Sequence, residues 1–356
     1  MLSINRIKII DAARGIACLI VLIHHFIVFN GNNIKSLTSH FIWNILFFIS
    51  DLNVEAVLFF FIISGFCIGL SLKGSLPITQ KTIKVYIARR LKRILPIYFL
   101  ALIIAFIAGI VTSRINCDPS YNLNNFIGNL LFLQTPEGLR NWFTPYGHNA
   151  PLWSLSYEFF FYLFFPLFSY VLVKKSIKNI NIISGLLIII TILSLILNRF
   201  ILFTPWFSYL NLFILWYYGY ILLECFLYDR RHDLHFSIVF ILSLLICVNK
   251  SNIPSDSLYL VAEGLIMVSI LYSFIITYRM QYFKLFLAKI ERILIFLFYQ
   301  IGTGSYALYA IHYIILLLCS HFKAYLTETV IILLITIFSC IKIEKLIIAF
   351  MQKKLI

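Results

Sequence analysis

The chain alternates long apolar runs with short polar, mostly basic, loops. Ten runs read as membrane spans, at roughly 9–29, 54–72, 94–112, 153–173, 180–198, 209–228, 235–249, 257–277, 298–319 and 327–349. The seventh is short. Stretches near 41–49 and 125–134 are apolar but too short to cross, and are expected to lie at the interface. Lipid offers the backbone no hydrogen bonds, so runs of this length predict helices. The expected fold is all-α and polytopic, about ten spans in a single integral domain covering 1–356, with no linker, repeat or soluble appendage.

The loops test this division. With the N-terminus inside, the inside segments hold 22 basic residues. They are Arg6 and Lys8; the seven from Lys73 to Arg93; Lys174, Lys175 and Lys178; Arg230 and Arg231; Arg279, Lys284, Lys289 and Arg292; and Lys342, Lys345, Lys353 and Lys354. The outside segments hold six: Lys35, Arg114, Arg140, Arg199, Lys250 and Lys323. Basic residues favour the cytoplasmic side, so the bias predicts both termini in the cytoplasm. The longest loop, about 113–152, falls outside.

Composition agrees. Of the 356 residues, 62% are hydrophobic and 12% charged, about half the charged share of a soluble domain. The net charge of +15 is accounted for by the loops, so nucleic acid is not an expected partner. The first run carries Asp11 and Arg14 and lacks a small-residue cleavage site, so it reads as a retained span. Seven scattered cysteines show no ligand spacing, so neither a metal site nor a disulfide framework is expected.

Ionisable groups in hydrocarbon cost about 2.5–3.5 kcal/mol each on insertion scales, so they mark candidate chemistry. In "DAARGIACLIVLIHHF" (Asp11–Phe26), Arg14 and His25 are eleven positions apart. On a helix that is three turns plus about 20°, which puts both on one face about 16 Å apart. Asp11 can pair with Arg14 from that face, whereas His24 points about 100° away. The alternative is a snorkelling pair and a packing histidine. "FFFIISGF" (Phe59–Phe66) places Ser64 and Gly65 where a helix or a ligand chain can come close. Arg89, Arg90, Lys92 and Arg93 crowd the inner mouth of the third span. Arg90 and Arg93, one turn apart, suit a polyphosphate or simply anchor the span to anionic lipid. Glu158 lies about two turns into the fourth span among aromatic residues, and should have a partner or a role. In "GSYALYAIHYI" (Gly304–Ile314), Tyr309 can share a face with Ser305 or with His312. Glu224 and Glu263 are further membrane carboxylates without an interpretable motif.

Taken together and in this order, these residues resemble the membrane-bound acyltransferase-3 family. The resemblance rests on Asp11, Arg14, Gly15 and His25; Phe61, Ser64, Gly65 and Phe66; Arg90 and Arg93; Trp153, Ser154, Leu155 and Glu158; and Ser305, Tyr306, Tyr309 and His312. It covers the whole chain. It implies a multi-pass protein of the bacterial inner membrane that moves an acyl group, usually acetyl from cytoplasmic acetyl-CoA. The implied acceptor is a hydroxyl of a cell-surface polysaccharide or its lipid-linked precursor. His25 would be the catalytic imidazole, acting as general base or carrying the acetyl group itself; a base needs no covalent intermediate. Arg14 would position the donor or the His25 site, and Glu158 is carried over with them. Arg90 and Arg93 would meet donor phosphates, with Ser64 as a further donor-side position. Asp11, Tyr309 and His312 match positions without an assigned role. No cofactor is implied beyond acetyl-CoA as substrate.

Departures are small. "IDAAR" stands where the family reads Leu-Asp-Gly-Leu-Arg, two histidines stand where one is usual, and the family's acidic residue before the second span corresponds to Glu55. Many members carry an esterase-like C-terminal domain, whereas this sequence ends at Ile356. The rival reading is a flippase for a lipid-linked glycan, with the polar stripe lining its path and no need for acyl-CoA. A glycan polymerase would be expected to carry a larger outside loop.

Overall fold

The computed structural model describes residues 4–72, 76–136, 142–200, 205–228, 230–249, 256–278 and 281–353. Lys73, Arg140, Lys250, Arg279 and Lys354 of the loop tally lie outside the described residues, as do the side chains of Arg6, Arg199, Lys284 and Lys353. Thirteen α-helices are described: α1 (Ile4–Leu37), α2 (His40–Asp51), α3 (Asn53–Leu72), α4 (Gln80–Val111), α5 (Leu123–Leu130), α6 (Leu152–Lys174), α7 (Ile180–Phe200), α8 (Pro205–Tyr228), α9 (Asp233–Val248), α10 (Asp256–Tyr278), α11 (Gln281–Thr303), α12 (Ser305–His321) and α13 (Leu326–Lys353). Among the described residues there is no strand, only one isolated bridge between Gln134 and Phe143.

The protein is all-helical and multi-pass. Among the described residues seven helices are long and apolar enough to cross a membrane: α1, α3, α4, α6, α7, α8 and α10. α9 is apolar but shorter, in keeping with the short seventh run. The stretch 41–49 lies within the short helix α2, and 125–130 of the stretch 125–134 lies within α5, the rest following it. Many large apolar side chains on α4, α7 and α13 are exposed, as lipid-facing surfaces require.

The ninth expected span, 298–319, is not one straight helix. It breaks between α11 and α12, which meet at a 66° bend around Gly304. Gly302 and Gly304 flank the break, and glycine is a poor helix former. The break strands amide groups at the start of α12. Glu344 of α13 supplies the partner, its carboxylate accepting the Ala307 N–H at 3.0 Å. The apolar pattern could not show this bend, because both arms are apolar.

The chain separates into two compact units. The first comprises Met1–Val57, Leu91–Ser156 and Ile290–Ile356. In it α1 packs along α2 and α12, and α12 along α13. The second comprises Leu58–Arg90 and Tyr157–Lys289, with α8 packed on α7 and α10, and α9 on α10. Its core is a cluster of rings. Phe161 meets Phe61 edge-on at 5.1 Å, Phe165 meets Trp216 at 5.2 Å, and Tyr209 stacks on Phe160 at 4.5 Å.

The described residues of the loop between α4 and α6, in the first unit, are held by hydrogen bonds. Buried Asn129 donates to the Thr144 carbonyl at 2.8 Å and accepts the Tyr146 N–H at 3.0 Å. Asn149, also buried, donates to the Ala310 carbonyl of α12 at 2.8 Å. Asp118 bonds His148 at 2.7 Å. Burial pushes the Asp118 carboxyl up, but the Ser120 amide and hydroxyl and His148 outweigh it and hold the group below its ordinary range.

Candidate active site

In the first unit, His25 Nδ1 lies 2.9 Å from His312 Nε2, joining α1 to α12. His312 Nδ1 is 2.9 Å from the Leu308 carbonyl, one turn earlier on its own helix. A carbonyl only accepts, so His312 Nδ1 carries the hydrogen. With both rings neutral, His312 Nε2 is then an acceptor, and His25 Nδ1 donates to it. His25 Nε2 is therefore left with its lone pair. A ring fixed in this tautomer presents a proton acceptor to a substrate hydroxyl.

Tyr313 meets the His25 ring edge-on at 4.9 Å, and Phe29, one turn beyond His25, meets Tyr313 at 5.2 Å. His24 turns away as its helical angle dictates. Its Nδ1 lies 3.1 Å from the Ser50 carbonyl of α2.

At the start of α1, Arg14 bonds Asp11 at 3.1 Å. The guanidinium groups of Arg14 and Arg93 both act on the Glu344 carboxylate. The first unit thus gathers Asp11, Arg14, Arg93 and Glu344 at the bend that begins α12. Glu344 was not singled out from sequence, although it falls within the expected span 327–349 and was open to the same reading as the other membrane carboxylates. It is buried. Tyr309 and Ser154 bond through their hydroxyls at 2.8 Å, which ties the start of α6 to α12 one turn before His312. Ser305 bonds the Gly302 carbonyl at 2.9 Å, so its hydroxyl is occupied at the bend. In the first turn of α3, Glu55 has one buried carboxylate oxygen without a hydrogen-bond partner among the described residues.

The second unit holds the other predicted residues. Ser64 donates to Glu158 at 2.8 Å, Tyr162 donates to the same carboxylate oxygen at 2.5 Å, and Trp216 donates to Ser64 at 3.1 Å. Glu158 thus has the partners its position demanded. Tyr162 and Trp216 were not singled out from sequence, although Tyr162 is one turn past Glu158. Gly65 faces the Trp216 carbonyl of α8 so closely that a side chain would collide with it. That settles its use here: it lets another helix approach.

Arg90 donates to Ser71 at 3.0 Å and lies over the Tyr86 ring. Beside it is a cavity of about 210 Å³ lined by Ser71, Lys81, Thr82, Tyr86, Arg89 and others. Arg90 Nε and the Tyr86 hydroxyl are buried without hydrogen-bond partners among the described residues. Glu224, uninterpreted from sequence, accepts from Tyr220 at 3.0 Å and faces Arg230 at 3.6 Å. Among the described residues no cluster of His, Cys, Asp or Glu is arranged to hold a metal ion.

The fold and this arrangement define a multi-pass helical membrane protein with a half-buried imidazole, His25, oriented by the buried His312. The family described as "Acyltransferase domain" matches residues 7–344, and the chain belongs to this acyltransferase-3 family. It is a membrane acyltransferase. No curated protein and no solved structure matches the chain.

Proposed function

We propose that this acyltransferase is an O-acetyltransferase of the bacterial inner membrane. It takes acetyl from cytoplasmic acetyl-CoA and places it on a hydroxyl of a cell-surface polysaccharide or its lipid-linked precursor. The reading takes the chain as one integral domain of ten spans with both ends cytoplasmic, as the loop charges favour. It needs no bound cofactor. The observation that carries it is the His25–His312 pair, which leaves His25 Nε2 free to act as a base.

In this mechanism His25 Nε2 takes the proton of the acceptor hydroxyl as its oxygen attacks the thioester carbonyl. The carbon–sulfur bond breaks, the proton leaves with the thiolate, and the products are an acetyl ester and CoA. Arg14, paired with Asp11 about three turns from His25, is assigned to positioning the donor or the His25 site. Ser64 is assigned to the donor side and Glu158 to catalysis. Arg90 and Arg93 bind donor phosphates. The unpartnered Arg90 Nε and Tyr86 hydroxyl support that assignment, because a phosphate would satisfy both.

Two outcomes are expected. Mass spectrometry of envelope polysaccharides from cells with and without the gene should differ by an acetyl-sized mass on a sugar; identical spectra would sink the acetyl reading. Arg90→Ala and Arg93→Ala, measured separately by acetyl-CoA binding calorimetry, should each weaken binding about tenfold, the scale of one charged hydrogen bond. Unchanged binding would return the cluster to a topology anchor. A flippase would show no dependence on acyl-CoA, and the family match does not favour it.

A further inference from the structure

Within the first unit, a cavity of about 400 Å³ opens beside the histidine pair. It is lined by Phe29, Arg114, His148, Tyr313, His321 and two neighbours on α12. Two of these residues connect it to the reaction. Tyr313 touches the His25 ring, and Phe29 follows His25 by one helical turn. The cavity therefore lies at the end of α1 opposite Asp11 and Arg14, about 6 Å along the axis from His25.

We infer that this cavity binds the acceptor, and that it selects an acceptor bearing an oxyanion close to the hydroxyl to be acylated. The inference rests on the acetyltransferase reading and adds the acceptor's class to it. Arg114 provides a planar, permanently charged donor set that suits a carboxylate or phosphate. The imidazoles of His148 and His321 add two more polar groups, and the rings of Phe29 and Tyr313 offer flat apolar faces to a sugar. The nearby carboxylate, Asp118, is engaged by Ser120 and His148. It fixes the His148 ring at the cavity wall.

The test uses the full chain in phosphatidylcholine nanodiscs without acetyl-CoA, so that it does not depend on acyl transfer. Three probes are compared by thermal shift and titration: methyl glucuronide, glucose 1-phosphate and neutral methyl glucoside. Binding is expected from at least one anionic probe and not from the neutral one, and which of the two binds separates carboxylate from phosphate. Arg114→Gln should weaken that binding about tenfold, with Arg114→Lys recovering part of it. His321→Gln provides a second, milder variant should the first disturb folding. In turnover, the Arg114→Gln effect should fall on KM rather than kcat. Equal binding of all three probes, or no change in Arg114→Gln, would overturn the inference. So would stabilisation by added phosphatidylglycerol alone, which would make the cavity a lipid headgroup site. A wild-type protein that binds anionic probes but never consumes acetyl-CoA would instead count against the acetyltransferase reading.

Discussion

His25→Ala is expected to lower acyl transfer by about 10²–10⁴-fold, the usual range for loss of a positioned base, while the protein still inserts. Membrane-fraction immunoblotting and acetyl release from acetyl-CoA would measure the two separately. His312→Phe should give a smaller loss. It removes the acceptor that holds the His25 Nδ1–H, so the ring can turn and the other tautomer becomes accessible. A pH profile distinguishes this from simple misfolding, because a released His25 should titrate differently from a bonded one. His24→Ala is the internal control. Its ring faces Ser50 rather than His312, so acetyl transfer should stay near the wild-type rate. If His25→Ala and Arg14→Ala both left activity intact, the assignment of the α1 stripe would be wrong. Trapping an acetyl group on His25 by mass spectrometry of a stalled reaction would replace the base mechanism with the covalent one.

The second large effect concerns folding. Gly302→Val should destabilise the protein by about 3 kcal/mol, the upper part of the range for overpacking, because the added side chain would meet the Asp11 backbone. Backbone atoms cannot move aside as the end of a long side chain can. The consequence reaches the site, since this contact seats the end of α11 against the turn of α1 that carries Asp11 and Arg14. Gly65→Val should do the same in the second unit, against the Trp216 carbonyl. Gly185 has nothing within 4 Å of its would-be Cβ, so Gly185→Ala should be neutral or gain about 0.5–1 kcal/mol from helix propensity. Thermal unfolding followed by fluorescence-detected size exclusion would rank the three. Equal behaviour of Gly302→Val and Gly185→Ala would refute the packing argument.

Much of α1 was legible in advance. The pairing of Asp11 with Arg14 and the divergence of His24 from His25 follow from 100° per residue, a property of the backbone alone. The helical segments were equally legible, because a run of about 20 apolar residues has few other ways to satisfy its peptide groups in lipid. Glu158 could be expected to have a partner, but not to have Ser64 and Tyr162. Glu344 lay within an expected span, but its partner, the Ala307 amide 37 positions earlier, could not be read from its neighbours in sequence.

The sequence by itself thus determined most of the helical segments, the polar face of α1 and the family-level chemistry. These depend on local periodicity and on the cost of exposing polar groups to hydrocarbon. Tertiary structure alone decided that His25 meets His312, 287 positions away, that α12 begins at a bend, and that Glu344 caps it. Lipid is as apolar as the side chains facing it, so hydrophobicity cannot choose which helices pair. Close packing at glycines and a few buried polar bonds make that choice, and both are properties of surfaces that only the folded chain brings together.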